Sequence, residues 1–340
     1  MPLKAPDFWT KDESFVSRLL KPLSSLYAFI GERRQKKAAP YKASAPVICV
    51  GNLVMGGAGK TPLAVSFAEF FKMNGKRPVF LTRGYGGGLS NVVVDLDKHT
   101  ATDVGDEALL LARVAPTVVD ADRRRGAKLA ESIRADVIIM DDGFQNPQLE
   151  KDFAVAVFDG KYGIGNGCVF PSGPLRESLE SGLKRAHACL FVGADETNLR
   201  ERIEKIAPDM PFFQTHIEQS LDVIYRLEDK KLLAFAGIGR PEKFFDMLCD
   251  YGCRLEARIP FPDHYVYTPA DMEKVLRRAN ELKAFAVTTE KDFVRIPKVY
   301  QSRIGVVPAH MIWDTTFEMM EALRRFCKPD ERKDADGSGN

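Results

Sequence analysis

A glycine-rich segment, GNLVMGGAGKTPLA at residues 51–64, restricts the possible folds of this chain most strongly. It follows the apolar run PVICV (46–50), which predicts a buried strand, and it leads into a run with apolar residues at helical spacing. The N–H groups at a helix N-terminus are unpaired and bind phosphate, and glycines let the backbone close around phosphate oxygens. A strand, a glycine loop and a helix in this order predict a phosphate-binding loop.

The loop departs from the strict pattern G-x-x-x-x-G-K-[ST] because Val54 stands in place of the first glycine. A glycine turn without function therefore remains the alternative. In the functional interpretation, Lys60 reaches the β- and γ-phosphates of ATP and assists the transfer, and the Thr61 hydroxyl binds Mg²⁺. Pro62 fits the first helical turn, where its missing N–H would bond nothing. The residues that we expect to bind the nucleotide are Gly56, Gly57, Ala58, Gly59, Lys60 and Thr61.

Two aspartates provide the second half of a nucleotide site. A kinase or ATPase needs a carboxylate at the end of a buried strand to hold the metal. In VIIMDDGFQ, Asp141 ends a run of four apolar residues and Asp142 follows directly. Alone, the two aspartates could cap a turn, but together with the glycine loop they predict a Mg²⁺ site.

Continuous apolar strands alternate with amphipathic helices from residue 46 onward, which is typical of a parallel sheet covered on both faces. The pattern begins again after residue 220, with a strand, a glycine turn and a helix in KLLAFAGIGRPEKFFDML and a last strand in GVVPAHMIW (305–313). We therefore expect an α/β fold that is P-loop NTPase-like, with a mainly parallel sheet and a second smaller α/β domain. The predicted bounds are 41–220 for the core, 221–326 for the smaller domain and 327–340 for a disordered polar tail.

Residues 1–40 form a basic, amphipathic N-terminal segment. In FVSRLLKPLSSLYAFIGERRQKK, apolar residues recur at helical spacing, basic residues follow, and Pro22 would kink or divide the helix. Such a helix can lie in a membrane interface, but it can equally pack on the protein core with a solvated basic end. The sequence alone leaves both alternatives open. No run is long and apolar enough to span a membrane, and a net charge of +2 gives no footprint for nucleic acid.

A set of short motifs occurs in the same order in a known family. These motifs are GNLVMGGAGKTP, RGYGG, VGDEALLLA, DRRRGA, DDGFQ, PSGPLRE, FPDHYVYTPADM and TTEKDFVRI. With them, residues 14–326 resemble the tetraacyldisaccharide 4'-kinases of lipid A synthesis. The family's loop usually reads GGTGKTP, so Ala58 departs from it, although a small residue there leaves the cradle intact.

The resemblance implies a peripheral enzyme on the cytoplasmic face of the bacterial inner membrane. Such an enzyme uses ATP and Mg²⁺ to phosphorylate the 4'-hydroxyl of an acylated glucosamine disaccharide 1-phosphate, giving lipid IVA. Composition and spacing reach the nucleotide, the metal and a possible membrane contact, whereas the sugar acceptor follows from the resemblance alone.

The resemblance also implies roles for particular side chains. Asp106 in VGDEA matches the proposed catalytic base, and His264 in FPDHYVY matches the histidine thought to pair with it. Without the resemblance, Asp106 could be a helix N-cap and His264 a hydrogen-bonded structural residue. Glu107 joins Asp141 and Asp142 as a metal-side acid. Four further residues are expected at the substrate, namely Arg123 and Arg176 at phosphate groups and Arg83 and Tyr85 at the border of the site.

The arginines have a simpler alternative, which is a surface ion pair, and we expect that role for Arg124 and Arg125. For the whole protein, the strongest rival is a membrane-associated switch ATPase like ParA or MinD. That class has a lysine directly before the paired glycines, where Met55 stands in this chain. A nucleotide-binding module without catalysis would leave the acidic GDE and DDGFQ loops unexplained.

Overall fold

The computed structural model describes residues 6–11 and 14–327. The predicted tail therefore lies outside the described residues, apart from Cys327. Within the described residues, the large sheet has nine strands in the order β13-β8-β7-β6-β1-β5-β2-β4-β3, and the small sheet has four in the order β10-β9-β11-β12. The strands are β1 Val47–Gly51, β2 Pro78–Thr82, β3 Val92–Val93, β4 Thr117–Val119, β5 Val137–Asp141, β6 Phe153–Asp159, β7 Ala188–Val192, β8 Phe212–Gln219, β9 Lys231–Ala236, β10 Arg254–Pro260, β11 Phe285–Thr289, β12 Gly305–Val307 and β13 Ala309–Trp313.

The helices connect these strands and cover both sheets. A short 3₁₀ helix, Asp7–Trp9, comes before them. The α-helices in the described part of the chain are α1 Phe15–Lys37, α2 Lys60–Met73, α3 Ala101–Val104, α4 Asp106–Ala112, α5 Arg123–Ser132, α6 Leu179–Leu183, α7 Leu199–Ile206, α8 Leu221–Tyr225, α9 Pro241–Asp250, α10 Pro269–Leu282, α11 Glu290–Phe293, α12 Lys298–Gln301 and α13 Thr316–Arg324.

Parallel pairing brings the carboxyl ends of the central strands together at one edge of the large sheet. Strand β1 pairs in parallel with β5, with Val50 opposite Asp141, and β2 pairs in parallel with β5 and β4. Because each strand is buried on both faces, the strands read as continuous apolar runs. The glycine loop after β1 and the aspartates at the end of β5 therefore meet at this edge. The predicted fold class, a mainly parallel P-loop NTPase-like sheet with a second α/β unit, is confirmed.

The predicted end of the smaller unit at residue 326 is wrong. The run GVVPAHMIW was expected to be one strand, but it forms two strands in different sheets, β12 in the small sheet and β13 in the large one. Pro308 lies between them and has no N–H to donate to a neighbouring strand. Its carbonyl oxygen accepts a hydrogen bond from Ser220 N at 3.0 Å. Strand β13 then pairs antiparallel with β8, and Met319 on α13 is buried in the cluster that covers α2. The smaller unit thus ends near residue 307, and the chain returns to the core.

Helix α1 lies on the core through its serines. Ser17 donates to Ser172 O, and Ser24 donates to Val169 O at 2.7 Å. The helix is not divided at Pro22, contrary to one of the two expectations for that residue. The opposite side of the helix leaves large apolar side chains in solvent, between 51% and 79% exposed: Phe15, Leu19, Leu23, Leu26, Phe29 and Ile30. This is the reverse of a helix packed by its apolar face. Among residues 6–11 and 14–327, no helix combines the length and the apolar character that crossing a bilayer requires.

Candidate active site

The phosphate-loop lysine points back into its own loop. Gly59 caps α2 in a left-handed conformation (φ 80°), and a Cβ there would approach Val192 to 3.0 Å. Helix α2 then begins at Lys60, whose Nζ lies 3.3 Å from Asn52 Oδ1 and 3.2 Å from Gly56 O. The ammonium is also 3.6 Å from Asp142 Oδ1 and largely shielded from solvent. The loop therefore places one positive charge at the helix N-terminus, where phosphate oxygens are also favoured.

Asp141 is a buried carboxylate with one oxygen that has no protein partner, a chemistry that suits a metal ligand. It is 1% exposed, and its Oδ2 accepts a hydrogen bond from Thr61 Oγ1 at 3.2 Å. Its Oδ1 is buried without any hydrogen-bond partner. Burial, followed by the negative charges of Glu107 and Asp142, raises the pKa of Asp141 to about 7. A divalent cation beside Oδ1 would satisfy the orphaned oxygen and remove the electrostatic cost.

The site does not form a metal cage from protein atoms alone. Among the described residues, no group of three or more His, Cys, Asp and Glu side chains converges on one point. Mg²⁺ does not need such a cage, because it is usually held by one or two carboxylates together with substrate phosphates and water. Thr61 and Asp141 fit that requirement.

Asp142 connects the phosphate loop to the predicted arginine. Arg176 Nη1 donates to Asp142 Oδ1 at 3.0 Å, and its Nη2 donates to Asp142 Oδ2 at 3.3 Å. Gln145 accepts from the same guanidinium at 3.3 Å and donates to Asn52 O at 2.9 Å. Arg176 thus lies within the same polar group as Lys60, and its role at a phosphate stays a prediction.

The pair expected from the two units of the chain is formed. His264 Nδ1 lies 2.8 Å from Asp106 Oδ2, so a loop of the smaller unit meets the first turn of α4 in the core. Burial alone would raise the pKa of Asp106. The hydrogen bond from His264 and the positive charges of His264, Arg295 and Lys291 outweigh burial, so its pKa falls below the ordinary value. The hydrogen bond to Asp106 in turn raises the pKa of His264.

The neighbouring acid also reaches across to the smaller unit. Glu107 Oε1 lies 3.6 Å from Lys291 Nζ, while its charge contributes to the raised pKa of Asp141. Glu107 therefore lies between the smaller unit and the proposed metal side.

The remaining predicted residues differ in their placement. Arg83 and Tyr85 are exposed on a loop whose backbone lies against Gly105, directly before Asp106. Arg123 is only 3% exposed and donates to Asp120 O at 2.5 Å, which does not fit direct contact with a substrate phosphate.

Of the two arginines expected to form surface ion pairs, Arg124 and Arg125, one does so. Arg125 forms the expected ion pair with Asp120 at 2.6 Å. Arg124 donates to the backbone carbonyl of Ala39 instead of pairing with an acid.

Sequence reasoning missed the side chains that contact and support the candidate functional residues. Asn52 binds Lys60, Gln145 binds Arg176, and Arg295 with Asp292 lies beneath the Asp106–His264 pair. The available signal was that all four residues lie in motifs quoted for the resemblance. Nothing in those motifs distinguishes a supporting side chain from a catalytic one.

Comparisons with known proteins agree over nearly the whole chain. The family described as tetraacyldisaccharide-1-P 4'-kinase matches residues 16–327. A tetraacyldisaccharide 4'-kinase from Paramagnetospirillum magneticum is 46% identical over 313 residues, which cover 92% of this chain and 95% of the relative. The enzyme of the same name from Rhodospirillum rubrum is 45% identical over 314 residues, covering 92% and 94%.

A solved structure gives the same result for the fold. It is described as an "apo" form of LpxK from Aquifex aeolicus in complex with ATP. The likeness has a TM-score of 0.74 at 25% identity and covers 92% of this chain and 100% of that one.

Proposed function

The chain belongs to the tetraacyldisaccharide-1-P 4'-kinase family, and we propose that it transfers the γ-phosphoryl group of ATP to the 4'-hydroxyl of a tetraacyldisaccharide 1-phosphate, giving lipid IVA. The observation that carries the proposal is the contact of 2.8 Å between His264 and Asp106. A carboxylate–imidazole pair at a sheet edge that also holds a phosphate loop supplies both requirements of a sugar kinase. It offers a base for the hydroxyl and a cradle for the nucleotide.

The phosphate loop and the strand-end acids bind the nucleotide in this proposal. Lys60 leaves its contacts with Asn52 and Gly56 O and neutralises the β- and γ-phosphates. Thr61 and Asp141 would hold Mg²⁺, with Glu107 and Asp142 as further acids on the metal side. The metal, when bound, offsets the charge that develops on the transferring phosphoryl group.

The Asp106–His264 pair removes the proton of the acceptor hydroxyl. A sugar hydroxyl is a weak nucleophile until a carboxylate or imidazole accepts its proton as it attacks phosphorus. Asp106 is ionised at neutral pH, as any aspartate without a strongly raised pKa is, and the hydrogen bond to His264 orients it. Since the pair spans two units of the chain, catalysis depends on how those units sit against each other.

The arginines are assigned by their exposure. Arg176 is about one quarter exposed, so it can exchange its contact with Asp142 for a phosphate, with two parallel hydrogen bonds. Arg123 contributes positive charge from beneath Asp141 and Asp142, since its guanidinium is buried close to both. Arg83 and Tyr85 line the open side, where the sugar would enter.

Helix α1 supports peripheral binding at the cytoplasmic face of the inner membrane. Its serines fasten it to the core and its apolar side chains remain in solvent. Basic residues on the same helix include Arg18, Lys21, Arg33 and Arg34, all exposed. An exposed apolar face beside basic side chains is the arrangement that binds an anionic lipid surface. In this proposal, binding to the membrane brings the active site next to the acylated substrate.

The test is transfer of label from γ-labelled ATP to a tetraacyldisaccharide 1-phosphate in mixed micelles with Mg²⁺. We expect labelled lipid from the unmodified protein and a loss of about 100-fold or more from Lys60→Ala, since the transferring phosphate loses its cation. Release of inorganic phosphate without labelled lipid, together with ATP-dependent dimerisation, would instead indicate the switch ATPase. Equal labelling by Lys60→Ala would remove the phosphate-loop assignment.

A further inference from the structure

An arginine that is almost inaccessible to solvent lies directly behind the Asp106–His264 contact. The side chain of Arg295 is 2% exposed, and its Nε is 3.6 Å from Asp106 Oδ2. Its Nη1 donates to Gly237 O at 3.0 Å and to Tyr265 O at 3.2 Å. Its Nη2 is 3.2 Å from Asp292 Oδ1. A buried guanidinium is stable only when its donors are paired, and here separate segments of the smaller unit and the core supply the partners.

Asp292 anchors this arginine to the smaller unit. The carboxylate is fully buried and accepts hydrogen bonds from Gly237 N at 2.7 Å, Tyr267 Oη at 2.7 Å and Thr289 Oγ1 at 2.6 Å. These donors come from the end of β9, from the loop that follows His264 and from the start of α11. The Arg295–Asp292 pair therefore ties the His264 loop to the small sheet at several points.

The backbone at His264 needs such support. His264 has φ +55°, a left-handed conformation that is unfavourable for a residue with a Cβ. Its N–H donates to Gly237 O at 3.0 Å, which is the same carbonyl that Arg295 binds. Arg295 also binds the carbonyl of Tyr265, the next residue along the chain. Strained backbone persists only where its surroundings fix it, and here the guanidinium fixes both sides of the strained residue.

We propose that Arg295, held by Asp292, is a positioning residue that presents His264 to Asp106 across the two units of the chain. This inference rests on the proposed function, because the pair that it positions is the proposed base. The guanidinium does not touch the substrate. It restricts the His264 loop to the conformation in which the imidazole contacts the Asp106 carboxylate.

Arginine is required for this geometry. The Nε of Arg295 donates to Lys291 O at 2.9 Å, its Nη1 donates to the carbonyls of Gly237 and Tyr265, and its Nη2 faces Asp292. These donors point in fixed, different directions from one planar group, which also keeps its charge 3.6 Å from Asp106. Lysine would keep the charge but could not bridge these partners from one ammonium. A conservative Arg295→Lys change should therefore behave as a loss of positioning and not as a loss of charge.

Steady-state kinetics of the full-length protein tests the proposal with Arg295→Lys, Arg295→Gln and Asp292→Asn. We expect kcat to fall by about 10- to 100-fold while KM for ATP stays within about 2-fold, since the defect lies at proton removal and not at the nucleotide. The matched control is Arg258→Gln, which breaks an exposed ion pair with Asp246 in the same unit and should leave kcat unchanged. Thermal unfolding without ligand identifies any variant that has not folded, and the remaining variants then carry the test.

A double-mutant cycle with His264→Ala separates positioning from general destabilisation. If Arg295 acts through His264, Arg295→Lys lowers kcat in the unmodified protein but not in the His264→Ala background. A full additional loss in that background would overturn the inference and leave the proposed function intact. An undiminished kcat in His264→Ala alone would instead contradict the proposed base, whatever Arg295 does.

Discussion

At the scale of single residues, Asp141 shows how function and stability oppose each other. It is a buried carboxylate with an unpaired oxygen and with acidic neighbours, and its pKa is about 7. Such a carboxylate weakens the fold in the absence of ligand, and the metal-binding role proposed for it would offset that cost when the cation is bound.

Asp141→Asn is expected to stabilise the protein measured without nucleotide or metal. The unfolded carboxyl ionises near its ordinary pKa of about 3.9, whereas the folded one ionises near 7. Between these values the folded state holds a proton that the unfolded state has lost, so the free energy of unfolding falls as the pH rises through this window. The gain from Asp141→Asn should therefore be larger at pH 8 than at pH 5, measured by denaturant unfolding at both.

The control variant, Asp136→Asn, should change the free energy of unfolding in the opposite direction. Hydrogen bonding to Arg77 lowers the pKa of Asp136, so this acid contributes stability above its ordinary pKa that is lost as the pH falls. Asp136→Asn should weaken the protein more at pH 8 than near pH 4. Equal gains at both pH values for Asp141→Asn would contradict its raised pKa.

From their residue types, sequence reasoning could propose site roles for a lysine after glycines and for acids after a strand. The Asp106–His264 pair could be proposed only from the family resemblance. Arg295 and Asp292 could not, because a supporting role depends on which buried groups surround a side chain. Arg123 was assigned to the substrate because a guanidinium suits phosphate, and sequence gives no measure of its burial.

At the scale of elements, the start of α4 is set by contact with another loop. Gly105 has φ +85°, and a Cβ there would lie 2.4 Å from Tyr85 O. The glycine in VGDEA thus lets the RGYGG loop pass directly beside Asp106. Two motifs that are separate in sequence are one structural feature.

Gly105→Ala should disturb this feature in two ways. It adds the cost of a left-handed backbone, about 1–2 kcal/mol, and a steric conflict with the Tyr85 carbonyl that moves Asp106. We expect lower stability and a clear fall in kcat, measured by thermal unfolding and the labelled-ATP assay. Gly252→Ala is the matched control, since φ is +80° there but a Cβ would meet nothing within 4 Å. Similar effects of both changes would mean that the conflict with Tyr85 is unimportant.

Helix α1 gives a second prediction at this scale. The double change Leu19→Ser and Leu23→Ser removes apolar side chains that are 70% and 54% exposed. Burying a leucine is worth about 1.5–3 kcal/mol, so binding to anionic vesicles should weaken by at least about 10-fold in a sedimentation assay. The folded state should be unaffected, because these side chains contact little of the protein.

The control for the helix removes exposed apolar groups elsewhere. Met73 and Val299 are 75% and 78% exposed and lie outside α1. Changing both to serine should leave vesicle binding unchanged. If this control weakened binding as much as the α1 variant, general surface hydrophobicity and not the helix would be responsible.

At the scale of the whole molecule, the chain leaves the core after β8 and returns to it at β13. Sequence reasoning found both α/β units but placed their second boundary at 326 instead of near 307. The reason is physical: periodicity shows that residues 305–313 are extended, but it cannot show which sheet each half pairs with. Pro308 was the local signal, since a proline inside a strand argues for a break.

Met319→Ala tests this return to the core. Met319 is 1% exposed in the cluster that covers α2, whereas Phe317 on the same helix is 68% exposed. Truncating a buried methionine costs about 2–5 kcal/mol, so unfolding of the nucleotide-binding core should shift to lower denaturant. Phe317→Ala should change little. If Met319→Ala left the core's transition in place, α13 would not belong to the core.

The chain leaves the large sheet near Ser220 and re-enters it after Pro308, and the two residues are hydrogen-bonded to each other. This arrangement has a consequence for synthesis on the ribosome. Strand β8 emerges early, but β13 emerges only after the entire inserted unit has been translated. Until then the outer edge of β8 has no hydrogen-bonding neighbour, and unpaired strand edges recruit other chains. Nascent protein stalled within the insertion would therefore be vulnerable to aggregation, even though its phosphate loop and strand-end acids have already been synthesised.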